Sequence, residues 1–231
     1  MNLTFPMACD YRHDNKAAAL AGAECLAANM SVWQAALVRR VVLPACQANH
    51  RAERNPMIFN LFRKNTATEP VLAVYSAIVA QSRQPVFYAE WLVPDTVTGR
   101  FDMISLHMAL LFRRLRSESG PQKEFSQAVF DLFFKDMDRS LREMGVGDLG
   151  VPKKIQKMGN IFFGLLAALN EAMDGNDKLA LEAVLSRNIF DGATGPHVAA
   201  LADYLVTKDR ALASRSVSEI AGGVINFEDA Q

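Results

Sequence analysis

The chain has 231 residues, half of them apolar, and its 25 basic and 25 acidic residues give a formal net charge of zero at pH 7. A chain of this length and composition can bury a sizeable core, which excludes a disordered protein. The balanced charge excludes a general electrostatic attraction to nucleic acid or anionic lipid, so any charge-driven partner must meet a local patch.

The first 56 residues differ in character from the rest of the chain. All three cysteines lie there: Cys9, Cys25 and Cys46. Their odd number and wide spacing predict neither a disulfide framework nor a zinc site. At Met57 the sequence changes to an apolar run closed by two cations. We therefore predict that residues 1–56 are an extension of doubtful function and that residues 57–231 form the working domain.

No segment has the roughly 20 consecutive apolar residues that a membrane-spanning helix needs. The run at residues 31–46 is interrupted by Arg39 and Arg40, and the run at residues 161–169 is too short. The N-terminus also lacks the basic start and apolar core of a secretory signal. We expect neither a transmembrane helix nor export.

After Met57 the chain reads as helices separated by glycine, proline and capping residues. The predicted helices span residues 69–83, 100–116, 122–144, 152–173, 176 or 177 to 190, and 198–213. A compact aromatic segment, residues 87–93, lies between the first two. Apolar residues recur at steps of three and four, and an alternating strand pattern is almost absent. The pattern predicts an all-α protein, a single bundle of about six to eight helices.

The ends of these helices carry recognisable signals. Asp95 or Thr98 is expected to cap the second helix. The two glycines of residues 145–147 are expected to end the third helix in a left-handed conformation, and Asp148 to cap the fourth. Residues 216–219 are typical of a capping box before the glycine pair near the C-terminus.

Three groups of residues are candidates for catalytic or ligand sites. His107 has no second histidine or carboxylate at helical spacing, so no metal site is predicted. Asp131, Asp136 and Asp138 alternate with cations on one helix, which favours a salt-bridged exposed face over a catalytic pair. The glycine turn before Lys153 fits no phosphate-binding motif.

These interpretations predict a protein that is not an enzyme. A buried polar pocket joining His107, Asp102 and Asp148 would instead favour one.

Basic residues gather at helix ends, in two sets. Arg113 and Arg114 close a helix, where cations complement the helix dipole. Lys153, Lys154 and Lys157 begin a helix, where they do not. The lysines therefore favour an anionic neighbour, which we expect to be the acidic loop of a partner, lipid headgroups or RNA.

A series of motifs over residues 87–190 resembles the ubiquinol-cytochrome c chaperone family. The motifs occur in order and include Asp95, Thr96, Gly99, Arg100, His107, Asp138, Arg142, Glu143, Gly145, Gly147 and Asp148. The resemblance implies an all-helical protein that is not an enzyme and carries no cofactor. It also implies a role in assembling ubiquinol-cytochrome c reductase by binding newly made cytochrome b.

The resemblance further implies certain partners and a location. In mitochondria the family works with a small partner chaperone, near the ribosome, and no contact with DNA is implied. The N-terminus lacks the arginine-rich, acid-poor character of a transit peptide. We therefore expect a bacterial cytoplasmic protein, peripheral at the inner membrane, or a protein on the matrix side if the source is eukaryotic.

An aromatic groove is the hypothesis for client binding, because such surfaces hold apolar helices loosely. Tyr88, Trp91, Phe134 and Phe163 are the candidates, although ordinary core packing is the better explanation for any one of them. The alternative function is a ribosome- or RNA-binding helical module in which the basic helix ends do the binding.

Overall fold

The computed structural model describes residues 68–225 and 227, so the predicted extension of residues 1–56 lies outside the described residues. Its helices are α1 (Glu69–Ser82), α2 (Pro85–Ala89), α3 (Val97–Leu115), α4 (Pro121–Glu143), α5 (Val151–Asp174), α6 (Lys178–Ile189), α7 (Pro196–Ser214) and α8 (Val217–Ala221). No strand occurs in this described part. The prediction of an all-α fold is confirmed. The short helix α2 contains the first part of the aromatic segment at residues 87–93.

Proline and capping side chains determine where the helices begin. Proline stands in the first turn of α1, α2, α4, α5 and α7, where its fixed φ suits a helix and its missing N–H costs nothing. The other three begin at side-chain caps. Asp177 accepts a hydrogen bond from the Ala180 N–H (2.9 Å), and Ser216 and Glu219 form the predicted capping box.

Two predicted caps are wrong, because the side chains concerned have other partners or positions. Helix α3 begins at Val97, and its cap is Thr96, whose hydroxyl accepts a hydrogen bond from the Gly99 N–H (3.1 Å). Asp95 is paired with Arg100 instead, and Thr98 lies inside the helix. Asp148 does not cap α5, because its carboxylate pairs with Arg142.

Helix α3 is the centre of the bundle. Every residue from 101 to 112 is buried. The apolar spacing in the sequence indicated only one core-facing side of this helix, whereas all its sides are buried over this stretch. Helices α1, α4, α5, α6 and α7 all pack against it. A helix that is apolar on all sides, as this one nearly is, must be surrounded by protein.

Phenylalanine rings from α3, α4 and α5 form the densest part of the core. The cluster consists of Phe112, Phe130, Phe133, Phe134, Phe162 and Phe163. Ring centroids lie 4.7 Å apart between Phe130 and Phe134 and 5.5 Å apart between Phe162 and Phe163. Most pairs are tilted or edge-to-face, the arrangements that aromatic quadrupoles favour. This cluster holds α4 and α5 against the central helix.

Replacing Phe162 with Ala should lower the free energy of unfolding by about 3–5 kcal/mol, because the ring is fully buried among other rings. The neighbouring Ile161 side chain is exposed, so Ile161→Ala should cost less than about 1 kcal/mol. Urea unfolding followed by circular dichroism measures both. Equal losses in the two variants would contradict this description of the core.

Candidate functional site

An open cavity of about 620 Å³ lies between α1, α2 and α7. We call it the Trp91 pocket. Its walls include Gln81, Gln84, Val86, Phe87, Trp91, Ala200, Asp203, Tyr204, Thr207, Lys208 and Phe227. Aromatic and aliphatic side chains form the inside of the pocket, whereas the glutamines, Asp203 and Thr207 supply polar groups. Such a combination is typical of a site that binds an apolar group and orients it with a few polar contacts.

Three aromatic rings form the floor of the pocket by edge-to-face packing. The ring centroids of Trp91 lie 5.4 Å from Phe87 and 5.6 Å from Tyr204, and those of Phe87 and Tyr204 are 5.1 Å apart. Each ring therefore restricts the others. Phe87 is fully buried, so Trp91 and Tyr204 are the rings that present apolar surface to the pocket, and their fixed packing lowers the ordering cost of binding.

A chain of hydrogen bonds runs from the wall of the pocket into the core. The Gln81 side-chain amide donates to the Tyr204 hydroxyl (3.0 Å), which lies 2.7 Å from Nε2 of His107. Nδ1 of His107 lies 2.8 Å from the Met103 carbonyl oxygen, which can only accept. Nδ1 therefore carries the proton, and Nε2 accepts from Tyr204.

Burial lowers the pKa of His107 to about 4, so the ring is neutral at physiological pH and both of its nitrogens are satisfied. Lys208 lies nearby, almost completely buried, with its ammonium group 5.4 Å from the Tyr204 ring centroid. The positive charge of Lys208 also favours the neutral imidazole. The site thus combines packed aromatic rings with a hydrogen-bonded neutral histidine and a nearby lysine.

The four predicted groove residues lie in two separate places. Trp91 lines the pocket, and the nearby Tyr88 is half-buried and donates a hydrogen bond to the Ser82 carbonyl oxygen (2.8 Å). Phe134 and Phe163 are only 8% exposed and belong to the phenylalanine core. No single groove joins the four, because core packing accounts for the two phenylalanines.

Tyr204 is the pocket residue that sequence reasoning missed. It comes 113 residues after Trp91 and stands in a regular amphipathic helix. Nothing in its local sequence distinguishes it from an ordinary tyrosine at the edge of a core. Only the packing of α7 on α3 brings it to His107.

The predicted basic residues also separate into two places. Arg113 is only 13% exposed and pairs with Asp174 (2.7 Å) and Asp209 (3.1 Å). Arg114 donates to the carbonyl oxygens of Leu212 (3.1 Å) and Arg215 (2.9 Å) at the end of α7. These two arginines join helices, so they are not a free surface.

Lys153, Lys154 and Lys157 are exposed in the first turns of α5. None of them has an ion-pair partner within residues 68–225 and 227. Arg113 contacts Asn170 near the other end of the same helix, roughly 25 Å away at 1.5 Å per residue. The arginines and the lysines therefore form no common patch.

Several family-motif residues build the start of α3. Thr96 caps the helix, and Asp95 pairs with Arg100 at 2.7 Å. A Cβ on Gly99 would collide with the carbonyl oxygen of Pro94, so this position requires glycine. The motif residues between Asp95 and Arg100 therefore form a close turn at the start of α3.

A second set of motif residues builds the turn between α4 and α5. Arg142 pairs with Asp138 (2.7 Å) and with Asp148, and Arg139 pairs with Glu143 (2.7 Å). Gly145 has a φ of 82°, which confirms the left-handed end of the helix. Gly147 has open space around it and an ordinary φ, so nothing in the turn requires a glycine there.

His107, Asp102 and Asp148 do not share a pocket. His107 is fully buried, and Asp148 is among the most exposed side chains of the α4–α5 turn. Burial, with a smaller contribution from Asp191, raises the pKa of Asp102 to about 7. No group of histidine, cysteine and carboxylate side chains with metal-binding geometry occurs among the described residues, nor is any described helix long and apolar enough to cross a bilayer.

Comparison with known proteins identifies the family. The sequence profile of the ubiquinol-cytochrome C chaperone family matches residues 89–227. The chain belongs to this family. The resemblance seen in the motifs is therefore confirmed, and it extends beyond the predicted span of residues 87–190 to α7 and α8.

A solved structure agrees with this assignment. The crystal structure of the Cbp3 homolog from Brucella abortus is 41% identical in sequence and superposes with a TM-score of 0.65. The comparison covers 75% of this chain and 97% of the homolog. The bundle is thus shared by nearly the whole length of that bacterial relative.

A more distant relative is the ubiquinol-cytochrome-c reductase complex assembly factor 1 of Xenopus laevis. It is 21% identical over 136 residues, which cover 59% of this chain and 66% of the relative. The chain thus spans just under two thirds of the length of that assembly factor.

Replacing Gly99 with Ala should lower the free energy of unfolding by about 1–3 kcal/mol, because the backbone must shift to admit a methyl group. Gly147→Ala is the matched control, since its Cβ would meet nothing within 4 Å and its stability should change by less than about 1 kcal/mol. Thermal and urea unfolding compare the two family-motif glycines. A larger loss at Gly147 would overturn this reading of the motif.

Replacing Asp102 with Asn should change how the free energy of unfolding depends on pH. Between pH 7 and 5 the folded state holds a proton on Asp102 that the unfolded state, with a pKa near 3.8, releases, so acidification stabilises the fold by about 2 kcal/mol. His107 has the opposite effect, because its pKa falls from 6.5 unfolded to about 4 folded, and acidification costs about 2 kcal/mol.

In the parent protein these two contributions nearly cancel, whereas Asp102→Asn should lose about 2 kcal/mol between pH 7 and pH 5. Urea titrations at the two pH values measure the difference. Asp191→Asn should keep most of the parental response, because burial is the larger cause of the Asp102 shift. Identical pH responses of the parent and Asp102→Asn would show that Asp102 titrates normally.

Proposed function

We propose that the protein is an assembly chaperone for ubiquinol-cytochrome c reductase and that it holds newly made cytochrome b without catalysis. Membership of the ubiquinol-cytochrome C chaperone family supports the general role. The observation that carries the proposal for the client is the Trp91 pocket, an open aromatic cavity on a rigid base.

Cytochrome b presents apolar helices before its haem groups and partner subunits cover them. An apolar side chain of such a helix gains free energy by leaving water, at roughly 25 cal/mol per Å² of buried surface. A cavity of about 620 Å³ accepts only a few side chains of one helix turn. The contact area is therefore small, which suits a chaperone that must release its client.

The polar residues at the rim of the pocket can orient a bound segment through hydrogen bonds. Gln84, Asp203 and Thr207 line the pocket. The Thr207 hydroxyl donates to the Asp203 carbonyl oxygen (2.8 Å) and the Asp203 carboxylate pairs with Lys178 (2.6 Å), so these two residues can still accept hydrogen bonds and Gln84 can also donate them. A newly made helix that has lost part of its backbone pairing would find partners there. The rim therefore favours partly assembled segments over closed, fully paired helices.

We further propose that this holding takes place at the inner membrane, on the cytoplasmic side in a bacterium or the matrix side in a mitochondrion. A small partner chaperone and the ribosome are proposed neighbours at that stage. Family membership supports this location, because the family's target is a complex of the inner membrane. No contact with DNA is part of the proposal.

Thr207→Trp should reduce client capture at least several-fold, because the exposed Thr207 lines the pocket and a bulky ring there fills the opening. Thr207→Val is the matched control, since it removes the hydroxyl group without adding bulk. Tagged full-length protein is purified from a respiring host in mild detergent, and cytochrome b is quantified by mass spectrometry relative to the other reductase subunits.

Trp91→Ala is a second test of the same pocket, with Leu92→Ala as the control for an exposed apolar neighbour outside it. Urea unfolding establishes that each variant is folded. Enrichment of cytochrome b that is unaffected by Thr207→Trp and Trp91→Ala would place the client elsewhere. Recovery of ribosomal proteins and RNA without cytochrome b would favour the RNA-binding alternative.

A further inference from the structure

The turn between α4 and α5 forms an exposed tip that is separate from the Trp91 pocket. We call it the α4–α5 apex and define it by Met144, Leu149, Lys153, Lys154 and Lys157. Leu149 is 91% exposed and Met144 is 50% exposed. The three lysines follow directly on the outer side of α5.

The fold explains neither the exposed apolar residues of the apex nor its lysines. A leucine this exposed contributes nothing to the core, whereas Val151, two residues later, is completely buried and anchors the helix. Lysines at a helix N-terminus lie at the positive end of the helix dipole, which disfavours them. They also lack ion-pair partners among the described residues.

The acidic residues of the turn do not neutralise these lysines. Asp138 and Asp148 both pair with Arg142, and Glu143 pairs with Arg139. Three carboxylates thus share two arginines, and the three lysines leave the apex with an excess of positive charge. The Arg142–Asp148 pair spans the turn, and the buried Val151 anchors the start of α5 beside the leucine and the lysines.

We infer that the α4–α5 apex docks on an anionic lipid surface. Leu149 and Met144 enter the boundary between headgroups and acyl chains, and the three lysines contact lipid phosphates. Shallow apolar insertion beside a group of cations is a standard mode of peripheral membrane binding. The inference rests on the proposed function in one respect: docking on the membrane would bring the Trp91 pocket close to a membrane-embedded client.

Lipid explains the apex better than RNA does. Single-stranded RNA is held by aromatic rings and arginine planes that stack on bases. Here the tip is aliphatic, and both arginines of the turn are engaged by carboxylates. An aliphatic side chain gains free energy in the bilayer interface and none against a phosphate backbone.

Flotation of the full-length protein with lipid vesicles tests the inference. Vesicles of phosphatidylcholine alone are compared with vesicles containing about one third phosphatidylglycerol. We expect binding to the anionic vesicles only, weakened by salt because the lysine contribution is screened. Lys153→Glu/Lys154→Glu/Lys157→Glu should weaken it roughly 100-fold, since each lysine near such a surface contributes about fivefold or more.

The apolar half is tested by Met144→Gln/Leu149→Gln, which should weaken vesicle binding about tenfold or more at constant net charge. Leu179→Gln is the matched control, because Leu179 is 77% exposed and begins α6, next to the opposite end of α5. Lys123→Glu is the control for charge, since it lies about 30 Å away at the start of α4. Both controls should bind like the parent.

Failure of the parent to float with anionic vesicles would overturn the inference, as would binding that survives either set of apex changes. A fluorescent single-stranded RNA is measured in parallel. RNA binding that the lysine reversals abolish, without vesicle binding, would assign the apex to nucleic acid instead. No client is present in these assays, so a negative result leaves the proposed chaperone function to its own test.

Discussion

The burial of α3 on all sides between residues 101 and 112 is the constraint on which the rest of the bundle depends. A polar side chain in this stretch needs a partner inside the protein, because an unpaired buried group is costly. His107 meets this requirement through its own helix, at the Met103 carbonyl, and through Tyr204 of α7, which also accepts from Gln81 of α1. One polar chain therefore links three helices and connects the wall of the Trp91 pocket to the core.

The C-terminal end of α3 is held by a different device. Arg113 reaches Asp174 at the end of α5 and Asp209 on α7, and Arg114 binds two carbonyl oxygens where α7 ends. Cations at this end complement the helix dipole and at the same time fix the neighbouring helices. Exposed ion pairs contribute little to stability, but Arg113 is largely buried, and its removal would leave Asp209 without this partner. Asp174 would keep its pair with Arg116. The arginines at the C-terminal end of α3 thus connect α3 to α5 and α7.

Local rules predicted most of the helices and little of the site. Apolar spacing, proline and glycine act over a few residues, so the long helices and the capping box could be predicted from the sequence. The short helix α2 and the burial of α3 on all sides between residues 101 and 112 could not be predicted, because both depend on what packs around them. Phe134 and Trp91 look alike as candidates, and only the fold places one in the core and the other in a pocket. The ion-pair partner of Arg113 on α7 lies 96 residues away.

The motifs that reveal the family are mostly architectural, and this bears on where client specificity resides. Thr96 and Gly99 build the start of α3, Arg142 and Gly145 build the turn after α4, and His107 supports the floor of the pocket from inside. A binding surface needs groups that the fold leaves available, and these residues are already engaged. Trp91 and the exposed lysines of α5 are groups of this kind, so the proposed contacts with the client and the membrane would depend on residues that the fold does not already engage.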